Sequence, residues 1–194
     1  SFNGSSSYID LSTSVITQDN FSFSLWFYPT VNYTSTVNYV FAHQASSGSR
    51  GITFGFSAGS WRAKVSNGSN TSIVTMSSPT LNAWTHIVVT YSTNNGLELF
   101  VNGVSQGTDT YIASDVSNHS GCHLGSRGHS AGDYFEGKID QVRIFNKELS
   151  ASEVTTLYQE NSLVASYRFE GNANDDMRAY DGTATSVTYE YGLN

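Results

Sequence analysis

The chain has 194 residues, a length that suits one sandwich or barrel domain with a sizeable core. Its formal net charge of −7 argues against nucleic acid or an anionic membrane as partner, because either would favour clustered Lys and Arg. No stretch approaches the roughly 20 apolar residues of a membrane span, so no membrane insertion is expected. The chain starts at Ser1 without Met, which indicates a processed or excised piece of a longer protein.

Strand patterns follow one another from the start of the chain. Residues 1–11 predict a turn that leads into a short strand. Residues 21–28 alternate at first and then become apolar on both faces, which is typical of a central strand buried on two sides. Trp26 in this segment is therefore expected in the core. The next strands are predicted at residues 38–43, 51–56, 61–65, 72–76, 84–91, 97–101 and 122–125.

Two local signals stand out in the second half of the chain. Asn102-Gly103 lies between apolar runs and predicts a tight hairpin, because both residue types tolerate positive φ. After a β-branched and aromatic strand at residues 135–145, Ser150-Ala-Ser-Glu153 forms a capping box that should start a helix. The helix would carry Val154, Leu157 and Tyr158 on one apolar face.

The single cysteine, Cys122, excludes an intrachain disulfide. A free cysteine usually behaves as a small buried apolar residue, and we expect this of Cys122. His123 follows it, but neighbouring side chains on a strand point to opposite faces. This arrangement disfavours a catalytic Cys-His pair.

Short strands at regular spacing, turns rich in Gly and Asn, and one late helix predict an all-β fold. We expect an antiparallel two-sheet β-sandwich of jelly-roll type with one short helix near residues 150–159. The pattern Gly-x-Ile-Asp-x-Val-Arg-Ile-x-Asn-x-x-Leu-Ser-x-x-Glu-Val-x-x-Leu-Tyr at residues 137–158 resembles laminin G-like, pentraxin-like domains of the concanavalin A-like lectin/glucanase superfamily. Residues 84–104 resemble a second pattern of that family, Trp-x-His-Ile-Val followed by Leu-x-Leu-Tyr-Val-Asn-Gly.

The resemblance also implies an unusual order of elements. Residues 163–176 and 180–184 resemble the first strand and loop of the family's domain, yet they come last in this chain. We expect residues 1–194 to form a single jelly-roll domain in which residues 162–194 supply that first strand and loop. Two accounts stay open: a circular permutation, or one period of a tandem array.

An oxygen-rich stretch at residues 170–176 is a candidate calcium site. Calcium takes six to eight oxygen ligands, which Asn172, Asn174 and Asp175 offer at short reach. The family resemblance implies a structural calcium that joins this loop to Asp140, with Glu170 as a companion. The alternative is a turn whose Asn and Asp side chains bond to the backbone.

Sugar recognition needs an exposed aromatic face and polar groups for the hydroxyls. Trp61 follows a Gly-Ser turn and is the best-placed aromatic residue, ahead of Tyr33 and Tyr39 in a loop rich in Ser, Thr and Asn. Trp61 could equally pack beneath a loop, whereas Trp84 in a strong strand pattern is expected in the core. Residues 126–133 supply further polar candidates: Arg127, His129 and Asp133.

Catalysis finds little support in the sequence. Glycoside hydrolases need two carboxylates on one cleft, and the laminarinase-like pattern Glu-x-Asp-x-x-Glu does not occur. We therefore expect a non-enzymatic, calcium-supported, lectin-like carbohydrate-binding module that serves adhesion in a larger surface, viral or secreted protein. Its partner would be a glycan or other cell-surface ligand, and its location extracellular, on a cell or on a virion. The alternative is a structural module that assembles with neighbouring repeats and binds no sugar.

Overall fold

The computed structural model describes residues 1–11, 15–45, 50–111, 119, 121–130, 132–160 and 185. The chain divides into two compact units, Ser1–Tyr158 and Gln159–Asn194. All described strands lie in the first unit. They are β1 (Phe2–Asn3), β2 (Ile9–Asp10), β3 (Phe21–Pro29), β4 (Asn38–Gln44), β5 (Arg50–Ser57), β6 (Ser60–Asn67), β7 (Thr71–Met76), β8 (Thr85–Ser92), β9 (Gly96–Val101), β10 (Val104–Asp109), β11 (Gly121–Leu124) and β12 (Glu136–Phe145); one helix, α1, spans Ala151–Gln159.

The strands form two six-stranded antiparallel sheets, as expected from the sequence. The first sheet has the order β1-β12-β3-β8-β9-β10 and the second the order β2-β11-β4-β5-β6-β7. The opening residues contribute β1 to the first sheet and β2 to the second, so the predicted opening strand is divided between the two layers. The predicted two-sheet sandwich with one short helix is confirmed.

The core lies between the sheets and is strongly aromatic. Alternate residues of β3 point inward, and Phe23 stacks on Phe41 of the other sheet with ring centroids 4.3 Å apart. Phe27 meets Phe54 edge-on at 5.4 Å. Both pairs cross the sandwich, so burial of aromatic surface joins the two layers.

Cys122 lies in this core with no exposed surface, as predicted. Burial, together with the nearby charge of Asp10, raises the pKa of its thiol to about 12. Its neighbour His123 bonds to the hydroxyl of Ser126 instead. The two side chains therefore do not form a catalytic pair.

The helix packs on the outer face of the first sheet. Its capping box is formed: the Ser150 N–H donates to Glu153 at 2.9 Å, and the Glu153 N–H donates to the Ser150 hydroxyl at 3.4 Å. Val154 is buried in a small second core with Val88, Phe100 and Leu149. Among helices of the described ranges, none has the length and apolar character that a bilayer crossing requires.

The tight hairpin is also confirmed. Asn102 and Gly103 have φ values of 51° and 78°, and the turn joins β9 to β10 with Val101 opposite Val104. The Asn102 side chain accepts a hydrogen bond from the N–H of His86 at 2.9 Å. This contact ties the hairpin to the neighbouring strand β8.

The two tryptophans predicted in the core, Trp26 and Trp84, both lie outside it. Trp84 precedes β8 instead of lying within it and is 41% exposed, so its predicted place in the core is wrong. Its ring contacts the Tyr28 ring at 5.5 Å on the outer face of the first sheet. Trp61 faces inward at the start of β6 and is 2% exposed. Trp26 is half-buried on the outer face of β3, stacked on Tyr158 of α1 at 5.9 Å, so its predicted place in the core is also wrong; alternate residues of β3 face the core, and Trp26 is on the other face.

Candidate ligand-binding site

A polar groove of about 490 Å³ opens where the loop after β3 meets the segment that enters β12. The described side of the groove comprises residues 31–38 from the loop, residues Asp133, Tyr134 and Glu136 from the segment, and Gly4 beside them. The loop is exposed at Asn32 and at residues 34–36, whereas Tyr33 and Asn38 are buried. The groove therefore has a fixed base and an accessible rim.

Tyr33 holds the loop in place. Its ring packs into the core against Phe56 and Trp61, with centroids 6.1 and 5.9 Å away. Its hydroxyl oxygen accepts a hydrogen bond from the Glu136 N–H at 2.6 Å. Burial is the main cause of a raised pKa for the Tyr33 phenol, with a further contribution from the negative charge of Glu136. The phenol therefore stays neutral and keeps this bond at physiological pH.

Two further bonds close the far end of the loop. The Asn38 amide donates to the carbonyl of Tyr134 at 2.5 Å, and the Tyr39 N–H donates to the carbonyl of Asp133 at 3.0 Å. Thr36 donates to the other end of the Asn38 amide at 3.0 Å. Because both loop and segment are fixed by backbone contacts, the groove is largely preformed, which reduces the entropy lost on binding.

Asp133 connects the groove to the loop that precedes it. It has a φ of 51°, a left-handed conformation that Asp tolerates better than most residues. Its carboxylate pairs with the Arg127 guanidinium, whose Nε donates at 2.8 Å and whose Nη2 forms a second short contact. The Arg127 N–H also donates to the carbonyl of Gly132 at 2.8 Å. The ion pair and this backbone bond therefore tie Arg127 to residues 132 and 133.

The charges of this ion pair contribute to shifted pKa values at two side chains, Tyr39 and His129. Burial raises the pKa of the Tyr39 phenol, and the carboxylate of Asp133 raises it further. Burial lowers the pKa of His129, and the positive charge of Arg127 adds to this effect. Both side chains are therefore neutral at pH 7, and Tyr39 can offer a hydroxyl donor.

The structure brings four of the six predicted ligand-binding residues to one end of the sandwich: Tyr33, Tyr39, Arg127 and Asp133. His129 lies in the same loop, close to Arg127 in sequence. Trp61 does not belong to this set. At 2% exposure it cannot present its face to a ligand, so its proposed role is corrected: it supports the groove from beneath through Tyr33.

Sequence reasoning missed three contributors to the groove: Asn38, Tyr134 and Glu136. Their contacts join residues about 100 positions apart in sequence, which local patterns do not reveal. No local sequence pattern marks Glu136, since its place at the groove depends on the bond between its N–H and the distant Tyr33 hydroxyl.

For calcium, the structure describes one of the five predicted ligands. Asp140 is exposed and sits at a bulge where the register of β12 against β3 shifts. One of its carboxylate oxygens accepts from the Gln141 N–H at 2.7 Å, which leaves the other free to bind an ion. Glu170, Asn172, Asn174 and Asp175 lie outside the described residues, and within the described ranges no group of three His, Cys, Asp or Glu is placed to hold a metal. Asp140 fits a calcium ligand chemically, yet it supplies one oxygen donor of the six to eight needed.

One described constellation has the composition of a catalytic triad. Ser126 Oγ lies 2.9 Å from His123 Nδ1, and His123 Nε2 lies 3.7 Å from an Asp10 carboxylate oxygen. However, Ser126 is fully buried, so its hydroxyl cannot reach a substrate. The Tyr8 ring also lies against His123, with centroids 4.8 Å apart. This cluster fixes the turn after β11 and is not a hydrolase site.

Comparisons with known proteins identify the fold. A laminin G-type family model described as the concanavalin A-like lectin/glucanases superfamily matches residues 3–155. No curated protein sequence matches significantly.

Similar folds occur in three solved structures of quite different proteins. Domain 4 of AbnA, a GH43 extracellular arabinanase from Geobacillus stearothermophilus in complex with arabinotriose, is 23% identical with a TM-score of 0.58, covering 81% of this chain and 74% of that one. A heptameric SAP-like pentraxin from Limulus polyphemus is 16% identical with a TM-score of 0.65, covering 81% and 80%. A structure of botulinum neurotoxin type C, whose cell entry depends on interaction with two ganglioside molecules, is 15% identical with a TM-score of 0.59, covering 78% of this chain and 38% of that one.

Proposed function

This chain belongs to the laminin G-type family of the concanavalin A-like lectin/glucanases superfamily, and from that premise we propose that it is a non-catalytic carbohydrate-binding module. The observation that supports this most directly is the preformed polar groove at residues 31–38 and 133–136. Carboxylates of Asp133 and Glu136, the exposed amide of Asn32 and the loop hydroxyls match the donors and acceptors of sugar hydroxyls.

The similar structures support the choice of ligand class. One of them holds arabinotriose, and another is a neurotoxin whose cell entry depends on two ganglioside molecules. Both proteins are less than 25% identical to this chain, so they establish the fold, and the sugar itself is part of the proposal. Tyr134 and the Val31 and Val37 side chains at the groove supply the apolar surface that a sugar ring needs.

The groove carboxylates are better suited to binding than to hydrolysis. A glycosidase general acid must be held protonated, usually by burial away from positive charge. Asp133 is instead only partly buried and is paired with the Arg127 guanidinium. Glu136 is partly exposed and accepts from the Thr30 hydroxyl at 3.4 Å. Neither carboxylate therefore has the buried setting away from positive charge that a glycosidase general acid uses, whereas both can accept hydrogen bonds from sugar hydroxyls.

Calcium is a further part of the proposal. A structural ion held by Asp140 together with Glu170, Asn172, Asn174 and Asp175 would neutralise carboxylates and supply a cross-link. Two observations support it. One is the family resemblance, and the other is the exposed carboxylate of Asp140, of which one oxygen accepts from the Gln141 N–H. We also propose that residues 162–194 supply the family's first strand and loop. The support for this assignment is the family resemblance of residues 163–176 and 180–184.

The proposed setting is a larger surface, viral or secreted protein outside the cell, in which the module serves adhesion. Neighbouring copies of the module could bind together and gain affinity from several weak sites. The structural alternative, a repeat that assembles without binding sugar, is an outcome of the test.

The test is a glycan array, followed by titration calorimetry of each hit with the purified chain in the presence of calcium. We expect at least one glycan to bind, and Asn32→Ala and Glu136→Gln to weaken it at least about fivefold, since each removes a partner for sugar hydroxyls. Glu148→Gln, which alters an exposed contact with Asn95, is the matched control. Absence of any hit together with self-association of the chain would favour the structural alternative. Cleavage of a bound oligosaccharide would contradict the non-catalytic proposal.

A further inference from the structure

The described side of the groove carries acidic groups and no basic ones. Asp133 and Glu136 contribute carboxylates, and among the described residues that line the groove none is Lys, Arg or His. The whole chain has a formal net charge of −7. A groove of this kind attracts a positively charged ligand and repels a negatively charged one, most strongly at low salt.

The two carboxylates differ in what they contact. Asp133 pairs with the Arg127 guanidinium, so its charge is compensated within the protein. Glu136 instead meets a neutral donor, the Thr30 hydroxyl, at 3.4 Å, and forms no ion pair within the described part of the chain. Glu136 is therefore the charge that a cationic ligand in the groove would meet.

The Glu136 side chain has a defined position at the wall of the groove. It fills the space beside Gly4, because a Cβ built on that glycine would lie 2.9 Å from both the Cβ and the Oε2 of Glu136. The Gly4 N–H donates to the Phe135 carbonyl at 3.2 Å, which keeps the glycine against this segment. Lys138 follows two residues later on β12, with its ammonium 4.8 Å from the centre of the Tyr28 ring. The carboxylate thus lies at the groove beside a residue without a side chain.

A second polar group at the groove has unused bonding capacity. Tyr33 lines the groove and is 8% exposed, and its hydroxyl oxygen accepts from the Glu136 N–H. A hydroxyl can also donate its proton, and no acceptor among the described residues takes it. Buried polar groups are rarely left with an unmade bond, so a ligand that supplies an acceptor here gains affinity. That acceptor would lie close to Glu136.

A sugar that carries a free amine next to a hydroxyl matches these two groups. A protonated amine has three donors and no acceptor, so it can donate to the Glu136 carboxylate in a charge-assisted bond, roughly twice as strong as a neutral one. The neighbouring sugar hydroxyl can accept the Tyr33 proton. An N-acetyl group lacks the charge, and a hydroxyl in place of the amine forms the weaker neutral bond.

We propose that the groove selects oligosaccharides of 2-amino sugars whose amines are free and protonated, and that Glu136 determines this specificity. The specificity rests on the proposed function and narrows it from carbohydrates in general to amino glycans. The exposed Asn32 amide and the hydroxyls of residues 34–36 bind the remaining sugar hydroxyls. Val31 and Val37 supply apolar surface for the ring.

The experiment compares three tetrasaccharides with the same β-1,4 linkage, built from glucosamine, N-acetylglucosamine or glucose. Calorimetry is done at low and high salt, at a pH below the pKa of the sugar amine, with the wild type and Glu136→Gln. Glu148→Gln is the matched control, because it removes the same charge from an exposed residue that contacts Asn95. A lysine tripeptide tests whether positive charge alone is sufficient for binding. Thermal melts confirm that each variant folds.

We expect the wild type to bind the glucosamine tetrasaccharide about tenfold more tightly than the glucose one at low salt, with a smaller preference at high salt. Glu136→Gln should reduce the preference to about twofold or less, whereas Glu148→Gln should retain it. Raising the pH above the pKa of the sugar amine should remove the preference of the wild type, because a neutral amine no longer forms the charge-assisted bond. This comparison needs no variant, so it remains decisive even if Glu136→Gln does not fold.

Failure of the amine specificity and failure of sugar binding give different results. Equal binding of the three tetrasaccharides, or an equal loss of preference in Glu148→Gln, would overturn the specificity while leaving sugar binding intact. The same holds if none of the three binds but the glycan array yields other hits. A lysine tripeptide that binds as tightly as the glucosamine tetrasaccharide would show that the groove recognises charge and not an amino sugar. If neither the tetrasaccharides nor any array glycan binds, both proposals fail.

Discussion

The hydroxyl of Tyr33 accepts a hydrogen bond from the backbone N–H of Glu136 at 2.6 Å, across 103 positions of sequence. One end of the Tyr33 side chain thus lies in the aromatic core, and the other fixes the start of β12. Tyr33 determines the shape of the groove, because its side chain positions both the loop at residues 31–38 and the opposite wall at Glu136. Stability and binding are therefore linked at Tyr33.

Replacing Tyr33 with Phe separates the two parts of this role. The ring still packs, but the Glu136 N–H loses its acceptor, and we expect a loss of about 1–2 kcal/mol in the free energy of unfolding. Affinity for a groove ligand should fall as well, since the wall becomes less ordered. Urea denaturation and calorimetry measure the two effects. Tyr8→Phe, at a 43% exposed tyrosine, is the control and should change neither; an unchanged Tyr33→Phe protein would contradict the role of the bond.

The buried and exposed tryptophans should respond very differently to truncation. Trp61→Ala removes a 2% exposed ring that contacts Phe27, Phe54 and Tyr33, and about 3–5 kcal/mol of stability should be lost. Trp84→Ala removes a 41% exposed ring and should cost about 1 kcal/mol or less. Equal midpoints in urea for the two variants would show that one of these burial assignments is wrong.

A buried histidine should make the domain sensitive to mild acid. Burial, together with repulsion from His119, lowers the pKa of His43 to about 4. In the unfolded chain the pKa is about 6.5, so between these values the unfolded state binds a proton that the folded state does not. Stability should therefore fall as pH drops from 6.5 to 4, by up to about 3 kcal/mol, and this contribution should level off below pH 4.

The check is a series of urea titrations from pH 7 to pH 4 on the wild type and on His43→Gln. The variant has a lower stability at pH 7 but should show a shallower dependence on pH between 6.5 and 5, above the range in which most carboxylates titrate. Parallel curves for the two proteins would exclude His43 as the source.

Calcium can be tested separately from sugar. If Asp140 and the residues at 170–175 hold a structural ion, a chelator should lower the melting temperature and added calcium should restore it, because a ligand of the folded state alone stabilises that state. Asp140→Asn should reduce the calcium response, whereas Asp109→Asn, at an aspartate that accepts from the Ile73 N–H, should retain it. A melting temperature indifferent to chelator would remove calcium from the proposal.

The fold could be predicted from the sequence, because the patterns that indicate it involve residues close together in the chain. The Asn102-Gly103 turn and the Ser150 capping box each involve residues within a few positions of one another, and both are formed as expected. The burial of Trp61 and the exposure of Trp84 could not be predicted, because a strand pattern does not show which face points into the core or where the strand begins. Similarly, Arg127 and Asp133 were chosen for polarity alone, and their pairing depends on the left-handed turn at Asp133.

The sole cysteine has a practical consequence. Cys122 lies at zero exposure with a thiol pKa of about 12, so an alkylating reagent can reach its thiolate only when the sandwich opens. The rate at which Cys122 is labelled therefore reports how often the second sheet opens. The measurement needs no engineered probe, because the chain has no other thiol to compete for the reagent. The same protection allows a cysteine introduced at the groove rim to be labelled alone, which gives each sugar-binding experiment a fluorescent reporter on an otherwise unmodified chain.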